Sequence, residues 1–214
     1  MASLHRLLAA ALVAAGSFAP AQAAPWRVSI DTTPLAGTSG FVAFDFFAGS
    51  AASGNVVRIG NLVFDGVLGL PSTTGDVAGT LSAGTLTLGG GGSLFSEWLQ
   101  GLSFGGTLAF DLELGNTAAA AGERPDQFSL FLLDDALLPR ATDDPALADA
   151  LLAIDLMGSA TAPQVYRSEF ATLRIEPIVS NGVPLPGTAP LLALGLLAVA
   201  AGRWRRAPAA ASAA

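Results

Sequence analysis

Seventeen carboxylates carry nearly all the chemistry open to this 214-residue chain, which has no cysteine, one histidine (His5) and no lysine, its ten cations all being arginines. Without a histidine base or a thiolate, the common nucleophile–base pairs cannot be assembled in the body of the chain. Zinc-type sites built from imidazole or sulfur are excluded for the same reason. The string "LGGGGS" (88–93) lacks the lysine of a phosphate loop and reads as a turn. Two chemistries remain: a carboxylate pair, as in glycoside hydrolysis, and cation binding by oxygen alone. Asp111 and Glu113 fall on one face of "TLAFDLEL" (107–114) and are the candidate acid pair. Alternation with Leu112 and Leu114 gives the plainer reading, a solvated strand face, and no enzymatic activity is expected. For calcium, the candidate ligands are Asp134, Asp135, Asp143 and Asp144, with Asp126 and Asp149 nearby in sequence. Calcium takes six to eight oxygens, and acidic loops at a sandwich edge supply them. Asp is equally a turn and cap residue, and Asp144 precedes Pro145, so turn chemistry is the competing reading. No organic cofactor is implied. For a sugar ligand, Tyr166 in "PQVYRSEF" is the best candidate contact, because Trp98 lies on the apolar side of its segment.

The elements that must position these residues are mostly strands. Runs such as "RVSIDTT" (27–33), "FVAFDFF" (41–47), "NVVRIGNLVF" (55–64) and "GTLSAGTLTL" (79–88) are short and apolar, with turn residues between them. "LSFGGTLAFDLEL" (102–114), "DQFSLFLLD" (126–134), "LLAIDLM" (151–157) and "EFATLRIEP" (169–177) continue the set. Period-2 alternation, about eight such runs and no alternation with long helices predict an antiparallel all-β sandwich, jelly-roll-like, over residues 24–180. Leu94, Phe95, Trp98, Leu99 and Leu102 recur at helical spacing behind Ser93 as N-cap, which predicts one short amphipathic helix over 93–102. A helical turn is expected near "PALADALLA" (145–153) before that run becomes strand. The body holds all seventeen acids against six arginines, a net of −11. Such a surface repels nucleic acid, whose binding is dominated by cation–phosphate contacts.

Both ends of the chain read as addresses. His5 and Arg6 precede the apolar run Leu7 to Ala15, and Ala21 and Ala23 bracket a small-x-small cleavage site. This is the three-part form of a secretory signal peptide, so residues 1–23 are expected to be removed by signal peptidase. Export without cysteine leaves stability to the packed core. At the other end, a linker at 181–187 leads into an uncharged stretch that stops at Arg203, Arg205 and Arg206. Thr188 can cap a helix with Pro190 in its first turn. At 1.5 Å per residue, 188–206 reaches about 27 Å. That is enough to span a bilayer if the arginines snorkel to the interface. The basic cluster predicts a cytoplasmic tail (207–214) with the body outside.

The tail, with Val183-Pro184-Leu185-Pro186, a short apolar helix and terminal arginines, resembles the PEP-CTERM sorting signal of Gram-negative bacteria. Leu185 stands where that family usually carries Glu. The resemblance implies recognition by an exosortase through Val183, Pro184 and Pro186, with Arg203, Arg205 and Arg206 setting orientation. It also implies export across the inner membrane, transient anchoring, and arrival at the cell surface or outside. Five strings resemble a PEP-CTERM-associated body domain that carries no assigned activity: "LAGTSGFVAFDF" (35–46), "GDVAGTLSAG" (75–84), "LFSEWLQGLSFGGTLAFDLEL" (94–114), "DQFSLFLLDD" (126–135) and "TDDPALADALLAIDL…PQVY" (142–166). Family context links such proteins to exopolysaccharide. The expectation is a structural or adhesive role in the envelope or matrix, with a calcium- or glycan-binding module as the alternative.

Overall fold

The computed structural model describes residues 25–50, 53–115, 123–157 and 162–179. The predicted signal peptide, sorting motif, membrane-spanning helix and cytoplasmic tail lie outside the described residues. Among those described, no helix is long and apolar enough to cross a membrane.

Twelve strands form two six-stranded antiparallel sheets, a β-sandwich with almost no helix. Sheet A contains β1 (Trp26–Asp31), β3 (Val56–Phe64), β5 (Val77–Gly79), β6 (Leu86–Gly89), β8 (Thr107–Leu114) and β12 (Thr172–Pro177), in the order β12-β1-β8-β3-β6-β5. Sheet B runs β11-β10-β9-β2-β7-β4. Its strands are β2 (Ser39–Phe47), β4 (Val67–Thr74), β7 (Phe95–Ser103), β9 (Asp126–Leu133), β10 (Leu152–Leu156) and β11 (Pro163–Val165). Short 3-10 turns at Thr33–Leu35 and Leu81–Ala83 are the only helical pieces among the described residues.

Alternation explains the layers. Val42, Phe44 and Phe46 of β2 point inward with Phe128, Leu130 and Leu132 of β9, against Leu108, Phe110, Leu112 and Leu114 of β8. The Phe44 and Phe110 rings meet edge to face across the sheets, 5.2 Å between centroids at 85°. Burying each such side chain contributes on the order of 1.5–3 kcal/mol. An aromatic pair adds about 0.5–1.5 kcal/mol.

The predicted helix over 93–102 is a strand. β7 sits between β2 and β4, with nine residues in register against β2. Its inward residues are Ser96, Trp98, Gln100 and Leu102, all buried. Two polar side chains on the inward face erased the strand period and left only the helical spacing of the apolar ones. Those polar groups are satisfied locally. The Ser96 hydroxyl accepts from the Asp76 backbone N–H at 3.0 Å. Gln100 Nε2 donates to the carbonyls of Gly69 (2.8 Å) and Gly101 (2.9 Å). The Gly69 bond falls where β4 bulges between Leu68 and Pro71. An amide side chain thus repairs the ladder that the bulge interrupts. The run 79–88 is likewise two strands, β5 and β6, with a 3-10 turn between them. At 145–153 the chain makes a turn with Leu147 and Asp149 in the left-handed region, and strand begins at Leu152.

Candidate functional site

Many aspartates of this protein tether backbone. Asp126 is buried and accepts from the Gly49 N–H at 2.7 Å and Asn55 Nδ2 at 2.9 Å, which ties down the loop after β2. Asp65 accepts from the Gly106 and Thr107 amides at the turn before β8. Asp76 accepts from the Ser93 N–H at 2.6 Å.

Three of the four calcium candidates, Asp134, Asp143 and Asp144, likewise accept from backbone amides. Asp134 Oδ1 accepts from the Ala136 and Leu138 amides, each at 2.9 Å, and so shapes its own turn. Asp144 Oδ1 accepts from Ala146 N–H at 2.9 Å, and Asp143 Oδ1 from Arg167 N–H at 2.6 Å. Asp135 lies instead at the rim of a groove on sheet B. Among the described residues, no three His, Cys, Asp or Glu side chains gather into a group that could hold a metal ion. Tyr166 is half-buried, and its hydroxyl donates to Gln164 Oε1 at 3.1 Å. Burial first, then the charges of Asp144, Asp155 and Asp143, push its phenol up from the ordinary range. Asp143, Asp144 and Tyr166 therefore share one corner of the sandwich, while Asp134 caps a separate turn.

The candidate acid pair of β8 resolves into ion pairs. Arg27 of β1 lies opposite Asp111, and its Nη1 donates to Oδ1 at 2.8 Å. Asn61, held in the left-handed region (φ 51°) at the bulge of β3, donates to Asp111 Oδ2 at 2.6 Å. Burial pushes the Asp111 carboxyl up, but the hydrogen bonds from Arg27 and Asn61 and the Arg27 charge outweigh it, and the group lies below its ordinary range. Glu113 faces Arg58 at 3.7 Å.

A different carboxylate pair does converge, on the outer face of sheet B. The register sets Asp45 of β2 directly opposite Glu97 of β7. Ser129 of β9 stands on the other side of Asp45, and Thr74 of β4 beyond Glu97. These four hydrogen-bonding side chains form a row across four strands. Beside it lies a row of rings, Phe95 and Phe47, with centroids 4.8 Å apart. Gln127 continues that second row, donating to Asp155 Oδ1 at 2.8 Å. On the other side lie Leu99, Ala43 and Phe131, followed by Gly101 and Phe41. Gly69 and Gly101, having no side chains, leave a shallow groove of about 320 Å³ between Phe41 and Asp135. Burial, with the Glu97 charge second, pushes the Asp45 carboxyl up to about 7. Its Oδ1 is buried and has no hydrogen-bond partner.

Acceptors and hydroxyls in a row, bordered by aromatic and aliphatic surface, suit a ligand that carries both hydroxyl groups and C–H faces. The sequence signal for Asp45 is its position as the polar interruption of "FVAFDFF". Glu97 was hidden inside the segment that reads as a helix. Compared with protein-family models, curated proteins and solved structures, the chain matches none.

Proposed function

We propose that this protein is an exported, transiently membrane-anchored β-sandwich of jelly-roll type, sorted by an exosortase, with a structural or adhesive role in the envelope or exopolysaccharide matrix. Support for the route is in the sequence. A signal peptide with Ala21 and Ala23 at its end precedes the body, and Val183, Pro184 and Pro186 stand before an apolar stretch closed by Arg203, Arg205 and Arg206. Support for a binding rather than a catalytic role comes from one observation above the others. The outer side of sheet B aligns Thr74, Glu97, Asp45 and the buried Ser129 between Phe95 and Phe47 on one side and Leu99 and Phe131 on the other. Hydroxylated polymers meet such a surface with C–H groups on the rings and hydroxyls on the carboxylates. Tyr166 would extend the contact toward β11.

Two measurements test this reading. Intact mass of the protein from its native host, taken from membranes and from culture medium, is expected to show a medium species that begins near Ala24 and ends near Pro186. A chain that keeps Arg206 and stays only in membranes would make the tail a plain anchor. Co-sedimentation of the released protein with the host's exopolysaccharide is expected to weaken in Phe131→Ala and in Glu97→Gln. Equal binding by both variants would remove the sheet face from the reading and leave the sorting route intact.

A further inference from the structure

We propose that Asp45, set directly opposite Glu97 in the β2–β7 pairing, keeps a proton at neutral pH, and that losing it sets these two neighbouring strands of sheet B against each other. The geometry is that of a directly opposed cross-strand pair. Like charges in that position destabilise a sheet, because the side chains of directly opposite residues approach closely. Water has little room at the Asp45 carboxyl, whose Oδ1 is buried. Phe47 and Phe95 close one side, and Ala43, only 3% exposed, with Leu99 closes the other. Asp45 Oδ1 is buried with no partner, so its ionised form lacks the hydrogen bonds that a buried carboxylate requires.

Among the described residues, the strands paired around Asp45 supply no counter-charge on this face. β7 contributes Glu97, β9 contributes Gln127, Ser129 and Phe131, and β4 contributes Thr74. The next titratable group, Asp155 of β10, is itself acidic and accepts from Gln127. A proton is therefore the cheapest way to relieve both the burial and the repulsion.

The direction of the pH effect follows. An Asp carboxyl that ionises at its ordinary 3.8 in the unfolded chain and at about 7 here makes the folded state hold a proton that the unfolded state has released. The stabilisation is full below the unfolded value and is lost as pH rises through the folded one. This inference stands on the register of β2 and β7 and holds whatever the face binds.

Carboxyl-carbon NMR of the full-length chain between pH 4 and 9 tests the proton directly. The Asp45 carboxyl is expected to titrate with a midpoint above pH 6. Glu97→Gln is expected to bring that midpoint down while leaving it above the ordinary range, because burial remains. Thermal unfolding supplies the consequence. Between pH 5.5 and 8.5 the wild type is expected to lose roughly 5–10 °C more in Tm than Asp45→Asn, for a shift of this size in a domain of this length. Should Asp45→Asn not fold, Glu97→Gln, with a smaller pH loss than wild type, carries the same test. An Asp45 carboxyl fully titrated below pH 5, or identical pH dependence in wild type and variants, would overturn the proposal.

Discussion

The two outer faces of the sandwich answer the same problem, an acid in the middle of a strand, in opposite ways. On sheet A, Asp111 and Glu113 of β8 each lie in register with an arginine from a flanking strand, Arg27 and Arg58. On sheet B, Asp45 lies in register with another acid and with a serine. Phenylalanine rings border that pair, and among the described residues no arginine is in register with it. Both acids of β8 thus face a cation, although Glu113 Oε1 makes no hydrogen bond, while Asp45 faces another acid and also has an unsatisfied oxygen. An unsatisfied polar group inside a packed surface is costly. Proteins retain such groups most often where something else comes to use them. Strand order thus decides whether an acid in mid-strand meets an arginine or another acid.

The largest expected effect comes from removing the acid that faces another acid. Asp45→Asn takes a charge off sheet B that the fold tolerates poorly once ionised. At pH 8 its unfolding free energy, measured with urea, is expected to exceed that of wild type by about 2–4 kcal/mol, for a carboxyl raised from 3.8 to about 7. At pH 4, where the wild-type group is protonated, the two proteins should converge. A stability gain independent of pH would mean that packing around the amide, not the charge, decides the result.

A charge exchange comes next. Glu97→Arg gives sheet B the arrangement that sheet A already has, an arginine opposite an aspartate. The Asp45 carboxyl should fall back toward its ordinary range, and stability at pH 8 should rise by about 1 kcal/mol for a partly buried opposed pair. If stability instead drops, the rings of Phe47 and Phe95 leave no room for the guanidinium, and the apolar border dominates the face.

Sheet A should respond to pH with the opposite sign. Asp111 lies below its ordinary range, so its contribution is present above the unfolded value and is lost as pH falls through the folded one. Arg27→Met removes the main partner and leaves only Asn61. The pair is a third exposed on the arginine side, so solvent screening keeps the loss near 0.5–1 kcal/mol at neutral pH. The variant's stability between pH 2 and 5 should also become flatter. An unchanged acid limb in urea titrations would mean that Asn61 alone holds the carboxylate.

How much of this was legible in the chain follows from what each signal depends on. β1, β2, β3, β8, β9, β10 and β12 overlap the apolar runs because each sends alternate residues into the core over at least part of its length, and burial writes a period of two. β4 left no such trace. It is an edge strand exposed along nearly its whole length, with Leu70 90% exposed and Pro71 within it, so neither face constrains the residue type. β7 wrote a misleading trace, since Ser96 and Gln100 point inward and bond to neighbouring backbone. The Asp111 and Glu113 reading as a plain strand face was legible from alternation, but their arginine partners were not. Register between β8 and strands 50 to 80 residues away is set by the whole sheet. Asp45 and Glu97 were invisible as a pair for the same reason, 52 residues apart and meeting only through β2–β7 pairing. The acidic loops could be read either as ligands or as turns, and the described carboxylates mostly serve turns.

The smallest effect is the sharpest check on the comparison. Arg58 and Glu113 are in register on sheet A, yet their nearest atoms are 3.7 Å apart and the arginine side chain is 45% exposed. At that distance the pair is an ion pair without a hydrogen bond, and Glu113 Oε1 has no hydrogen-bond partner. Two long side chains lose rotamer freedom to hold this geometry in water, and such pairs contribute about 0–0.5 kcal/mol. Arg58→Ala is therefore expected to leave the urea midpoint almost unchanged at low salt, and 0.5 M salt should not separate it from wild type. A loss above 1 kcal/mol would show that Arg58 matters through its aliphatic stem packed across the sheet. Sheet A's balance would then rest on packing as much as on charge, and the contrast with sheet B would narrow to the Arg27–Asp111–Asn61 cluster.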